Sequence, residues 1–233
     1  MSSLTFVYGC MNTSKTSLLL MRHHACEENK QNPIILKPTT DIREGRFNHL
    51  EYGTIKSRLI NSGTKALYLD VKKFKESEEH LRGKNIVFVD EAQFLSKEDV
   101  WYLSDLADYF EKEVVAFGLK NNAEGELFEG SAALITMADN LEECYGVCKC
   151  GKKATHNVRL TGGVGLVGEA GIESENVRYE SVCRECFKSY MERIEENVEN
   201  NSQTVDCQLN GVSYKACCRR CFKKVMGEQE AGS

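Results

Sequence analysis

The apolar run Leu4-Thr5-Phe6-Val7-Tyr8 leads into Gly9-Cys10-Met11-Asn12-Thr13-Ser14-Lys15-Thr16, and the leucines and small residues from Thr16 to about Cys26 suit a helix. Strand, eight-residue loop and helix make the phosphate-loop arrangement, which narrows the choice of fold more than any other stretch of the chain. Such a loop turns successive backbone N–H groups toward a polyphosphate at a helix N-terminus, whose dipole favours anions. Gly9, Cys10, Met11, Asn12, Thr13 and Ser14 would form the cradle. Lys15 would reach the β- and γ-phosphates, and Thr16 would hold Mg²⁺. Ser14 stands where the pattern has its second glycine, and its Cβ can obstruct the close backbone approach that glycine allows. Taken alone, the segment reads equally well as a strand, loop and helix carrying a surface lysine.

A second element shifts that balance. Ile86-Val87-Phe88-Val89 is apolar throughout, as expected of a strand buried on both faces of a parallel sheet, and it ends in Asp90-Glu91-Ala92-Gln93-Phe94. An acid delivered at the C-terminal end of such a strand is the partner a phosphate loop needs. Asp90 is placed to organise the waters of Mg²⁺, and Glu91 to take a proton or position a nucleophile. Two acids there can also balance a helix dipole. With both elements present, the reading adopted is nucleotide binding. Ile34-Ile35-Leu36, ending at Pro38, and Val114-Val115-Ala116-Phe117 read as further buried runs. Between Ser96 and Lys112, Val100, Leu103, Leu106, Ala107 and Phe110 fall at helical spacing behind an N-cap at Ser96. Strands alternating with helices predict an α/β fold, a parallel sheet with helices on its faces.

The cysteines divide the chain. Of 11 in its 233 residues, only Cys10 and Cys26 precede residue 144. No apolar run approaches the roughly 18 residues of a membrane span, and no basic segment followed by an apolar core opens the chain, so a cytoplasmic, reducing setting is expected. There, Cys148-Lys149-Cys150 and Cys183-Arg184-Glu185-Cys186 read as a closed, structural Zn²⁺ site. It would pin both ends of the 152–182 excursion so that a flexible loop can close over a ligand. Four buried reduced thiols are the plainer alternative. The net charge of -5 argues against a surface given over to nucleic acid, so nucleic acid is not an expected partner. Division at 143 and 190 leaves a nucleotide-binding domain (1–143), a zinc-binding domain (144–190) and a tail (191–233).

Within the second half, the glycine-rich stretch from Thr161 to Gly171 is expected to lack regular structure. Glu192 to Asn201 suits a helix, and Asn197 to Thr204 a solvated linker. Residues 177–188 recur 35 positions later as residues 212–223, matching in Val, Tyr, Cys, Arg, Cys, Phe and Lys. This points to a duplicated segment. Its Cys218 and Cys221 have only Cys207 and Cys217 nearby, so a leftover duplication and a second zinc site both stand open. Lys215, Arg219, Arg220, Lys223 and Lys224 read as a solvated helix face. The five histidines show no catalytic or metal spacing.

Several ordered motifs together resemble the type II thymidine kinases, the cellular and bacterial kind with a zinc-pinned lasso. They are Tyr8–Thr16 with Met11 inside the loop, Asp41-Ile42-Arg43, Val89-Asp90-Glu91-Ala92-Gln93-Phe94-Leu95, Gly118-Leu119 with Glu126-Leu127-Phe128-Glu129-Gly130-Ser131, the cysteine pairs, and Tyr179-x-Ser181-Val182-Cys183-Arg184. The resemblance spans about Leu4 to Lys188. It implies ATP-dependent phosphorylation of thymidine, or a related deoxynucleoside, at the 5'-hydroxyl in nucleotide salvage. Glu91 would be the general base, with charge stabilised by Lys15, Mg²⁺ and Arg43, and the protein a homotetramer. Met11, Phe94, Leu119, Ile172 and Tyr179 would line the nucleoside pocket, with lasso backbone groups on the thymine edge. The chain departs from the family at Ser14, at Lys120-Asn121-Asn122-Ala123 in place of Arg-Thr-Asp-Phe, and at Ser174-Glu175 in place of Gly-Gly. Loss of an aromatic at Ala123 would cost the base contact about 1–3 kcal/mol. These departures leave a second reading beside the kinase: a catalytically impaired chain that binds nucleotide as a regulatory or structural subunit.

Overall fold

Alternate residues of the buried strands face opposite sides of one sheet, and each side has its own helices. The computed structural model describes residues 2–41, 46–57, 63–161, 164–165, 177–200, 207–209 and 212–214. The first part of the chain forms β1 (Ser3–Gly9), α1 (Lys15–Glu28), β2 (Pro33–Pro38), β3 (Glu51–Ile55), β4 (Thr64–Leu69), a 3-10 segment (Val71–Ser77) and α2 (Glu78–Leu81). Then come β5 (Ile86–Val89), a 3-10 turn (Ala92–Phe94), α3 (Lys97–Asp108), β6 (Glu113–Leu119), α4 (Glu129–Met137) and β7 (Asn140–Cys144). The seven strands lie in the order β3-β4-β2-β5-β6-β1-β7. Every neighbouring pair is parallel except β3 with β4. The α/β architecture is as expected, with one antiparallel edge added.

Leu4, Phe6, Leu36, Val87, Val89, Val114 and Ala116 pack on the side of Leu103 and Leu106 of α3 and Leu134 of α4. Val7, Ile35, Phe88, Val115 and Phe117 pack on the other side, against Leu19 and Leu20 of α1. This two-sided burial explains why β5 and β6 are apolar without alternation. It also leaves the strands' C-terminal ends as the open edge where loops can build a site.

Several boundaries differ from expectation. Helix α1 starts at Lys15 and continues two residues past Cys26, to Glu28. Helix α3 does begin at an Ser96 N-cap, where Ser96 and Asp99 each accept a hydrogen bond from the other's backbone N–H. It stops at Asp108 rather than Lys112, because the chain turns through Glu111 at φ 54 before entering β6.

After β7 come β8 (His156–Thr161), β9 (Val164–Gly165) and β10 (Val177–Val182), a small antiparallel sheet ordered β10-β8-β9, then α5 (Arg184–Asn200) and a hairpin of β11 (Cys207–Leu209) and β12 (Val212–Tyr214). Two corrections follow. Part of the glycine-rich stretch is strand, since Val164 and Gly165 pair with Thr161 and Leu160. The acidic run from Glu192 is the second half of a helix that starts straight after Cys183, whose carbonyl accepts the Phe187 N–H at 2.9 Å. That helix covers Asn197 to Asn200, which were expected to be linker. The first copy of the repeat therefore forms β10 and the start of α5. In the second copy Val212–Tyr214 forms β12, and Cys217, Cys218 and Cys221 lie outside the described residues. Among the described residues no helix is long and apolar enough to cross a membrane.

Candidate active site

Strand β1 ends at Gly9, where the loop must turn beneath its neighbour. A Cβ on Gly9 would stand 2.7 Å from the Cys144 carbonyl oxygen on β7, too close for any side chain. The loop folds on itself: Thr13 Oγ1 donates to the Cys10 carbonyl at 2.9 Å, and Lys15 Nζ donates to the same oxygen at 2.6 Å. Two of its side-chain-bearing residues, Asn12 (φ 58) and Ser14 (φ 61), occupy the left-handed backbone region. Asn tolerates that conformation, whereas Ser is held there at a cost. Ser14 is exposed, and its φ of 61 shows that the missing glycine matters through backbone angle. Ser14→Gly should remove strain of roughly 1–2 kcal/mol and add back roughly 0.5–1 kcal/mol of unfolded-chain entropy. The expected result is a gain of about 0.5–1 kcal/mol in the urea unfolding free energy, with tighter binding of ADP·Mg²⁺.

Across the sheet, β5 delivers Asp90, 2% exposed. Its Oδ1 lies 3.4 Å from Thr16 Oγ1, which joins the loop to the strand-end acid. Its Oδ2 lies 3.5 Å from Nζ of Lys37, a β2 lysine only 1% exposed, and that ammonium is also 3.1 Å from Asp41 Oδ2. Two buried carboxylates thus share one buried cation, the pairing that charges in a low-dielectric interior require. Glu91 sits at φ 54, in the left-handed region, and starts the 3-10 turn. Buried Gln93 fixes its carboxylate: Gln93 Nε2 donates to Glu91 Oε2 at 2.6 Å, while Gln93 Oε1 accepts the Leu119 N–H at 3.0 Å. Gly118 makes room for this, since a Cβ there would stand 2.9 Å from Gln93 Oε1. Burial pushes the pKa of Lys15 below its ordinary value, and the strongest charge pulling it back up is the Glu91 carboxylate, ahead of Cys144 and Asp90.

The described residues expected to line a nucleoside pocket come, beyond the loop, from three elements. Phe94 ends the 3-10 turn and meets the Phe128 ring edge-on at 6.0 Å. Leu119 closes β6, its carbonyl accepting from Ser131 Oγ at 2.6 Å. Tyr179 lies two residues before Ser181 on β10 and so shares its face of the small sheet. Ser181 in turn donates to the Met11 carbonyl. The segment after β6 is a tight turn in which Asn122 Oδ1 accepts the N–H groups of Glu124 and Glu126, with Ala123 inside it. Gly125 (φ 84) there lies against the Phe187 ring. Arg43, Ile172, Ser174 and Glu175 lie outside the described residues.

Cys148 and Cys150 sit in a backbone turn where the Cys148 N–H bonds to the Lys152 carbonyl and Gly151 takes φ 84. Cys183 and Cys186 sit at the start of α5. All four sulfur atoms lie within 4.8 Å of one another, and Cys150 Sγ is 3.6 Å from Cys183 Sγ. Tetrahedral zinc with Zn–S bonds near 2.3 Å spaces its sulfurs about 3.8 Å apart, so the donor set fits a four-thiolate zinc. Burial disfavours the Cys148 thiolate, but N–H groups of Cys150 and Cys183 bring its pKa down to about 7.

Lys37 and Asn157 escaped the sequence reading, and Gln93 stood in a motif there without a role of its own. A lysine inside an apolar, proline-bounded strand was the one available signal for Lys37. Asn157 carries no spacing that marks it.

Comparison with known proteins bears on this arrangement. A family model described as thymidine kinase matches residues 2–187. Relatives named thymidine kinase include one from Idiomarina loihiensis, 36% identical over 197 residues covering 82% of this chain and 98% of its own. Another, from Haemophilus influenzae, is 37% identical over 194 residues, covering 81% and 97%. A third, from Enterobacteria phage T4, is 38% identical over 162 residues, covering 69% and 81%.

Proposed function

This chain belongs to the thymidine kinase family, and from that premise we propose that it transfers the γ-phosphoryl group of ATP to the 5'-hydroxyl of thymidine or a close deoxynucleoside. The observation that carries the reading is the meeting of Thr16 with Asp90, beside a lysine whose strongest attracting charge is Glu91. This supports a reading in which loop, strand-end acid and second acid serve one site.

Glu91, oriented by Gln93, takes the proton of the 5'-hydroxyl as its oxygen bonds to the γ-phosphorus. The bond from that phosphorus to the β–γ bridging oxygen breaks, and ADP leaves. Catalysis here is positioning and charge stabilisation rather than covalent work. Lys15, and by resemblance Arg43, would stabilise charge on the transferred group. Gly9 to Ser14 would cradle the phosphates. Thr16 and Asp90 would hold Mg²⁺, which supplies charge neutralisation between the β- and γ-phosphates. Met11, Phe94, Leu119, Ile172 and Tyr179 would line the nucleoside pocket. Cys148, Cys150, Cys183 and Cys186 would hold a structural Zn²⁺. Family membership supports a cytoplasmic salvage role and a homotetramer as well.

The test is a screen of deoxynucleosides with ATP·Mg²⁺, run beside a metal determination. ADP formation with thymidine foremost, and one zinc per chain, are the expected results. No turnover with any deoxynucleoside would exclude the kinase reading.

A further inference from the structure

The Met11 peptide groups are held from outside the phosphate loop. Met11 N–H donates to Asn157 Oδ1 at 2.8 Å, and the Met11 carbonyl accepts from Ser181 Oγ. Asn157 on β8 and Ser181 on β10 are directly opposite each other in the antiparallel register. Their side chains therefore leave the small sheet on one face, side by side. Asn157 is 2% exposed, and its Nδ2 donates to the Asn121 carbonyl at 3.0 Å, in the segment after β6. One amide thus ties together the phosphate loop, the small sheet and the edge of the nucleoside pocket.

The grip sits one register step from the cysteine cluster. His156 pairs with Val182, Thr155 N–H bonds to the Val182 carbonyl, and Cys183 follows at once. The end of the small sheet that carries Asn157 and Ser181 is thereby anchored beside the thiols. The loop it grips contains Asn12 and Ser14 in the left-handed region, a shape that the loop's own sequence disfavours. External bonds to Met11 add to the loop's own bonds from Thr13 and Lys15 to the Cys10 carbonyl in holding that shape.

We infer that Asn157 and Ser181 are positioning residues for nucleotide binding, which clamp Met11 and so hold the phosphate loop in its phosphate-accepting shape. This rests on the kinase reading above, and it assigns to the zinc-bearing part of the chain a task on the phosphate side of the site as well as the nucleoside side. With Met11 N–H taken by Asn157, anion contact falls to the N–H groups that follow it in the loop.

The experiment compares the full-length protein with its Ser181→Ala, Ser181→Thr and Asn157→Leu variants. Binding of ADP·Mg²⁺ is followed by calorimetry, and amide exchange of residues 10–14 is followed in the nucleotide-free protein. Loss of a hydrogen bond that restrains the loop should weaken ADP·Mg²⁺ binding by about 3- to 10-fold in Ser181→Ala, and at least as much in Asn157→Leu. Exchange at Met11 and Asn12 should speed up in both. Ser181→Thr, which keeps the hydroxyl, should restore both readouts, with zinc content and melting temperature unchanged in all the serine variants. Unaltered affinity and exchange in Ser181→Ala and Asn157→Leu would overturn the inference. So would losses that track zinc content or melting temperature, since these mark a structural role alone. If the parent protein bound no ADP·Mg²⁺, the nucleotide reading itself would fall, while exchange in the nucleotide-free protein would still decide whether Met11 is clamped.

Discussion

Glu91→Gln is expected to lower kcat by about 10²–10⁴-fold while leaving the dissociation constant for ADP·Mg²⁺ where it was. The substitution keeps the shape of the site. A glutamine amide oxygen can accept the bond that Gln93 Nε2 now gives to Glu91 at 2.6 Å, and the left-handed backbone at this position stays the same for either residue. What goes is the ability to take a proton from the 5'-hydroxyl. A rate loss confined to kcat, with the KM for ATP little changed, separates this role from a contribution to binding. Turnover within twofold of the parent would remove Glu91 from the base's position.

The second large effect concerns Lys37, whose Nζ lies 3.1 Å from Asp41 and 3.5 Å from Asp90 in the interior. Lys37→Met should cost about 3–5 kcal/mol of folding stability, read from urea unfolding, because it leaves buried carboxylates without their shared cation. Adding Asp41→Asn should recover part of that loss by deleting one of the two buried negative charges. The Mg²⁺ concentration for half-maximal activity should also shift in Lys37→Met, since Asp90 loses its ion pair with that ammonium. A stability loss below about 1 kcal/mol would mean that the lysine does not hold this pair.

Much of the frame was legible because burial on both faces of a sheet writes itself as uninterrupted apolar runs. Strands β1, β5 and β6 and the core of β2 follow from that rule alone. Strands β3 and β7 escaped it because they lie at the sheet's two edges, where Glu51, Tyr52, Glu142 and Glu143 need not be apolar. The places of the Gly9–Thr16 loop, Asp90 and Glu91 were readable, since each follows directly from the end of a strand. Lys37, Gln93 and Asn157 were not. Each has a partner in a distant segment, Asn157 in Met11, Lys37 in Asp90 and Gln93 in Leu119, and one sequence carries no mark of such pairings. The extent of α5 was misjudged for a local reason. Its first turn is built on Cys183, which the spacing of the cysteines had marked only as a metal ligand.

The order of the strands carries a consequence for biosynthesis. Of the large sheet's strands β1 leaves the ribosome first, yet its two neighbours, β6 and β7, are the last to be made. Leu4 meets Asp139 across 135 residues. At translation rates of roughly 5–20 residues per second, the earliest-made strand waits on the order of ten seconds with both edges bare. During that interval the nascent strand is a target for chaperones, and for aggregation where they are scarce.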